Sequence, residues 1–170
     1  NHQSVTFNFM KHITILILLA LFSNVYGQRI EKDLYLKHSV RQDGLSYSFK
    51  VMDPDLKTPK YRKKKFYFWF KTQKVISTQG GASGSLLHGL FEAFYDTKQL
   101  AQKGEFKKGL KDGEWVYWRQ NGTIFMSEEW NNGVLSGSQI LYDDKGAVTE
   151  TIEYKRYSLS RKTADSLIIS

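Results

Sequence analysis

The feature that most constrains this sequence is its repetition every 24 residues. Three blocks align without a gap: LLHGLFEAFYDTKQLAQKGEFKKG at 86–109, LKDGEWVYWRQNGTIFMSEEWNNG at 110–133 and VLSGSQILYDDKGAVTETIEYKRY at 134–157. The fourth position holds Gly89, Gly113 and Gly137, and the ninth holds Phe94, Trp118 and Tyr142. The fifteenth holds Leu100, Ile124 and Val148, the twentieth Glu105, Glu129 and Glu153, and the twenty-first Phe106, Trp130 and Tyr154. Such a period marks an array in which one supersecondary unit buries its apolar face against its neighbours. A degenerate copy is expected at 62–85, where Phe70 and Ile76 fall in the aromatic and aliphatic columns before the Gly/Ser-rich stretch Ser77 to Gly84.

Each block reads as a β-hairpin. Glu114 to Trp118 is an aromatic-rich strand, Asn121-Gly122 is a strong turn signal, Thr123 to Trp130 returns, and Asn132-Gly133 leads to the next block. A lone hairpin is marginal in water, so the blocks must stack edge to edge. The expected fold is mainly β: stacked antiparallel hairpins in one continuous twisted sheet. The aromatic and aliphatic columns are expected to build its core. Upstream, Leu45 to Val51 alternates with period two and predicts a further strand, followed by a loop and the basic run Lys60 to Lys65. Residues 28–61 thus form an N-terminal strand and basic loop, and 158–170 a C-terminal tail.

The segment Lys108-Gly109 through Gly122 resembles the MORN variant repeat. The wider stretch, from Phe66-Tyr67-Phe68-Trp69-Phe70 through Ser77-Thr78-Gln79-Gly80-Gly81 to Asp112-Gly113-Glu114-Trp115, resembles the exported YwqK-type antitoxin family of Bacteroidetes-like bacteria. The resemblance covers 62–157 and implies a hairpin-repeat scaffold that binds and neutralises a partner toxin. Export departs from a cytoplasmic toxin–antitoxin pair. Gly113-Glu114-Trp115-Val116-Tyr117-Trp118 also resembles choline-binding cell-wall modules, whose aromatics cage quaternary ammonium groups.

Composition narrows the alternatives. In 170 residues there is no Cys, which excludes a disulfide scaffold, thiolate metal ligation and a cysteine nucleophile. The formal net charge is +8 and aromatics make up 15%, against an acidic or disordered chain. Met10-Lys11-His12, the apolar run Ile13 to Phe22 and Val25-Tyr26-Gly27 read as a secretory signal peptide. Residues 1–9 are expected to be translated upstream sequence. The mature chain is expected to begin at Gln28 and to be periplasmic or extracellular.

Catalytic chemistry finds little support. His38 and His88 carry no zinc spacing, and no phosphate-loop, dinucleotide or serine-hydrolase motif is present. His88 reads as a polar turn residue, and Asp143-Asp144 with Gly146 as a plain turn rather than a calcium loop. Equivalent Glu residues two strands apart stand about 9–10 Å from one another, near the long end for an inverting glycosidase. A repeat-wide ladder paired with Lys or Arg explains them better. No enzyme activity, catalytic residue, metal or cofactor is expected.

Three functional readings stand. The first is a non-enzymatic exported protein-binding module of the antitoxin or immunity type. The second is a cell-envelope module, binding cell wall or lipid, and the third, less supported, is a small hydrolase. A protein partner is assigned to the apolar sixth and eighth positions, namely Tyr67, Trp69, Phe91, Trp115 and Tyr117. The alternative is that segment 30–61 buries that face. Lys60, Arg62, Lys63, Lys64 and Lys65 are candidates for an anionic surface, with nucleic acid the least expected partner of an exported chain.

Overall fold

The computed structural model describes residues 36–155 and 158–163. The expected leader at 1–27 lies outside them. Among the described residues the chain forms eleven strands and no helix. They are β1 (Lys37–Gln42), β2 (Leu45–Val51), β3 (Phe66–Lys71), β4 (Lys74–Gln79), β5 (Ser85–Phe94), β6 (Leu100–Lys107), β7 (Leu110–Trp118), β8 (Ile124–Asn131), β9 (Val134–Tyr142), β10 (Val148–Lys155) and β11 (Ser158–Thr163).

Turn chemistry sets the hairpins. Lys108-Gly109 and Asn132-Gly133 have positive φ at both positions, the geometry that matches strand twist, and they join successive blocks. The turn within a block is different. Arg119 N–H donates to the Thr123 carbonyl, and Gly122 N–H donates to the Arg119 carbonyl. Asn121-Gly122 therefore sits in a five-residue loop, not the two-residue hairpin expected. The same pair of bonds recurs over Tyr95–Gln99 and Asp143–Ala147.

The strands pair antiparallel in the order β1-β2-β5-β6-β7-β8-β9-β10-β11, one continuous sheet of stacked hairpins as expected. Register repeats from hairpin to hairpin. Gln102 pairs with Tyr117 and Met126 with Leu141, and in both junctions the ladder then skips across the glycine column. Gly113 and Gly137 sit in those bulges and Gly89 in the matching one between β2 and β5, with φ of +70°, +75° and +80°, a region that side chains with a Cβ rarely enter.

Two expectations need correction. Residues 62–85 do not stack as the first copy, because β3 pairs with β4 and meets only the start of β5, at Trp69–Leu86 and Phe70–Ser85. The remaining edge of β5 is taken by β2, through Tyr47–Ala93 and Phe49–Phe91. Those are the register positions of Gln102 and Gly104, so β2 stands where a preceding repeat would place its return strand. Residues 52–84 are an excursion lying across one face of the sheet. Part of the expected tail also joins the sheet: Ser158–Thr163 pairs with β10 as the last described strand.

The face under the β3–β4 hairpin is the inner face. Phe70 packs 5.3 Å from Phe49 and 4.6 Å from His38, and Phe68 lies 4.9 Å from Phe106, between ring centroids. Phe106 in turn meets Trp115 edge-on at 4.8 Å. Trp115 is fully buried and lies flat on Gly104, where a Cβ would come within 2.2 Å of the indole. Behind the hairpin, Tyr67 and Trp69 pack with Met52, Leu86 and Leu110.

The core columns are therefore only partly those expected. Phe106 is buried, but Phe94, Trp118 and Tyr142 are half-buried on the outer face. Ile124 and Val148, expected inside, are 37% and 42% exposed. Neighbouring strand residues alternate faces, so the ninth column points away from the sixth and eighth. The hairpin covers the sixth column at Phe91 and Trp115 but not at Gln139.

Candidate functional site

Burial removes four of the residues assigned to a partner. Tyr67, Trp69, Phe91 and Trp115 are 1%, 7%, 5% and 0% exposed and form the core. The cover comes from two sources. The β3–β4 hairpin lies over Phe91 and Trp115, whereas Met52 and Tyr61 close over Tyr67 and Trp69. Lys60, Arg62, Lys63 and Lys64 are exposed, while Lys65 is half-buried with its ammonium donating to the Asn132 carbonyl.

Tyr117, the fifth assigned residue, belongs to a buried polar cluster that the sequence reading missed. Lys111 Nζ donates to Tyr117 Oη at 2.6 Å, and the Tyr117 hydroxyl donates to Glu128 Oε2 at 2.8 Å. Trp130 Nε1–H donates to the same oxygen at 2.9 Å, and Gln139 Nε2–H donates to Glu128 Oε1 at 2.9 Å. Tyr154 O–H donates to Gln139 at 3.2 Å. Lys111 Nζ also stands 3.9 Å from Glu128, with only 14% and 10% of the two side chains exposed.

The ammonium is caged by rings. It lies 4.4 Å from the Trp115 centroid, 5.3 Å from Tyr117 and 4.9 Å from Trp130. This is the cation–π arrangement that aromatic cages offer a quaternary ammonium, filled here by the chain's own lysine. Burial outweighs the nearby Glu128 carboxylate and pulls the Lys111 pKa down to about 8. Burial first, then Glu128, push the Tyr117 phenol well above its usual range.

A signal for this cluster exists in the repeat. The second position reads Leu87, Lys111, Leu135, the sixth Phe91, Trp115, Gln139, and the nineteenth Gly104, Glu128, Ile152. Lys111, Gln139 and Glu128 are the polar exceptions in otherwise apolar or small columns, and the fold brings all three together.

Lys111 opens onto two cavities. One of about 200 Å³ lies between sheet and hairpin, walled by Tyr47, Phe68, Phe91, Phe106 and Trp115. The other, of about 240 Å³, is lined by Phe66, Phe68, Ser77, Trp130 and Gly133.

The remaining sequence candidates are placed as follows. His88 lies in β5, not in a turn, and its Nδ1 accepts from Lys108 N–H at 3.2 Å. Asp112, at the same block position, accepts from Asn132 N–H at 2.8 Å, so this column ties down the turn between blocks. Asp143 Oδ1 accepts from Lys145 and Ala147 N–H groups within its turn. The glutamate column lies on the outer face, but its cross-strand partners are not Lys or Arg. Glu105 stands opposite Asp112, Glu129 opposite Glu114, and Glu153 opposite Ser138. Among the described residues no group of three or more His, Asp or Glu is placed to hold a metal.

No protein-family model, curated protein or solved structure matches this chain.

Proposed function

We propose that the protein is a non-catalytic binding module that engages a protein partner through the outer face of its sheet. The observation that carries this reading is the ninth and fifteenth columns. Phe94, Trp118 and Tyr142 are half-buried beside Leu100, Ile124 and Val148, and they recur across three hairpins on the face opposite the β3–β4 cover. Antiparallel sheets normally turn polar residues outward, and an aromatic stripe on such a face fits the composition of binding hot spots. Beside it runs the row Glu105, Glu114, Glu129 and Glu153, carboxylates gathered on one face of a chain whose net charge is +8. The matching partner is a protein with a basic rim around an apolar centre. Resemblance to MORN-like antitoxin proteins, with the leader expected at Met10 to Gly27, makes an exported toxin the specific form of this reading.

The test is affinity co-purification from the native host with wild type, a Trp118→Ala/Tyr142→Ala variant and a Glu129→Lys variant. A basic protein retained by wild type and lost from both variants, with melting temperatures kept within a few degrees, is expected. Equal retention by all three would refute the outer face as the binding surface.

A second reading, attachment to an anionic envelope, draws on Tyr61 and Phe66. They are 37% and 54% exposed at either end of the basic stretch Arg62 to Lys65. Sedimentation with anionic vesicles, lost on replacing Arg62, Lys63 and Lys64 by Ser, would favour it.

A further inference from the structure

We propose that the cavity between the sheet and the β3–β4 hairpin is a binding site for a small single-ring carboxylate, anchored by Lys111. This goes beyond the outer-face reading and is independent of it. The cavity holds about 200 Å³. A buried apolar cavity of about 150 Å³ admits benzene, so this one has room for a single ring and a small substituent. Tyr47 and Phe68 supply partly exposed ring surface for an aromatic guest, backed by the buried rings of Phe91, Phe106 and Trp115, while Gln102 and Ser77 supply polar groups.

The charge of the guest follows from the lining. Among the described residues that wall this cavity, Lys111 is the one charged side chain. Glu128 does not line it, and its two oxygens already accept from Tyr117, Trp130 and Gln139. A lysine ammonium has three hydrogens to donate, and Tyr117 Oη takes one. The ring faces around the others are weaker partners than a carboxylate. A guest carboxylate therefore adds a direct hydrogen-bond acceptor to a cation whose own ion-pair partner, Glu128, stands 3.9 Å away, beyond hydrogen-bond distance.

This geometry makes binding proton-linked. The titratable groups facing Lys111 are Tyr117 on its own strand, Glu128 on β8 and Tyr47 across the cavity on β2. The hairpin contributes Phe68, Val75, Ile76 and Ser77 to the walls, none of which titrates. Lys111, its pKa pulled down to about 8, is half-deprotonated at that pH, and a bound carboxylate holds the proton in place. Above this pH the affinity falls about tenfold per unit.

The experiment titrates the full chain with benzoate, benzamide and benzylammonium, following two-dimensional amide NMR and tryptophan fluorescence at pH 7, 8 and 9. Benzoate is expected to bind with shifts centred on Phe91, Gln102 and Lys111, at least tenfold more tightly than the other two, and more weakly at pH 9 than at pH 7. Two variants localise it. Lys111→Met removes the cation, and Val75→Phe fills the cavity from the hairpin side without touching the Lys111 cluster. Both should weaken benzoate at least tenfold, with Val75→Phe carrying the test should Lys111→Met fail to fold. No benzoate binding at millimolar concentration, equal binding of benzamide, or benzoate binding unchanged in Val75→Phe would each overturn the proposal.

Discussion

Trp115 and Gln139 occupy the same place in consecutive hairpins, on the same face and at the same step of the ladder, yet one is fully buried and the other half-exposed. The contrast extends across the inner face. From β2 to β7 the buried residues include Phe49, Phe91, Ala93, Ala101, Phe106, Leu110 and Trp115. From β8 to β10 the buried side chains among the described residues are Glu128 and Ile152. Backbone geometry is common to both halves, so it does not decide what is interior. The β3–β4 hairpin does, and the sequence has adapted beneath it: rings and small residues where the cover lies, a hydrogen-bonded carboxylate and amide where it ends.

The largest effect that sharpens this comparison is expected from a pair of truncations. Trp115→Ala removes a fully buried indole and leaves a hole above Gly104, which should lower the unfolding free energy by about 3–5 kcal/mol. Gln139→Ala at the equivalent place loses its bond to the Glu128 carboxylate and a longer one from Tyr154, and should cost less, about 1.5–3 kcal/mol. Urea denaturation of both variants measures the gap, and equal losses would break the distinction between the two halves.

A second effect comes from the junction between them. The Lys111 pKa of about 8 in the fold lies below its ordinary 10.5. Between those values the unfolded chain carries the additional proton, so stability should rise with pH across that window, by on the order of 3 kcal/mol for this group alone. Tyr117 acts in the opposite sense, since the fold retains a proton that the unfolded chain releases near pH 10. Stability should therefore climb from pH 8 and turn downward above pH 10. Chemical denaturation across this range should show the rise in wild type and lose it in Lys111→Met. A flat profile in wild type would mean that the ammonium is better solvated than its 14% exposure implies.

The smallest expected effect concerns the outer face. Trp118→Ala should lower stability by only about 1–2 kcal/mol, because the ring is half-buried and no second layer of the described residues closes over it. A loss as large as that of Trp115→Ala would show that the outer face is also a core.

The repeat made the hairpins and their stacking legible, because strand alternation, turn residues and a 24-residue period all point to the same ladder. Leu45 to Val51 was readable for the same reason, and β2 has those bounds. Which face lies inside was not readable. Phe94 and Phe91 are equally apolar, and only the path of residues 52–84 separates their fates. That path depends on contacts distant in sequence, such as Phe70 against Phe49 and Phe68 against Phe106. The place of 62–85 was misread because Phe70 and Ile76 match the columns by type while β2 matches them by register. The Lys111 cluster was open to discovery in the exceptions to the columns, not in the columns themselves.

The detour between β2 and β5 also favours an order of assembly. From β5 to β10 every strand finds its neighbour across a turn of a few residues, and such closures take microseconds or less. The pairing of β2 with β5 must instead close a loop spanning residues 52–84, at a higher entropic cost. The C-terminal hairpins can zip together first, offering an edge on which Phe49 and then Phe68 and Phe70 come to rest. Until they do, the Trp115 indole stands open to solvent, so the last step of folding is also the one that hides the stickiest surface of the chain.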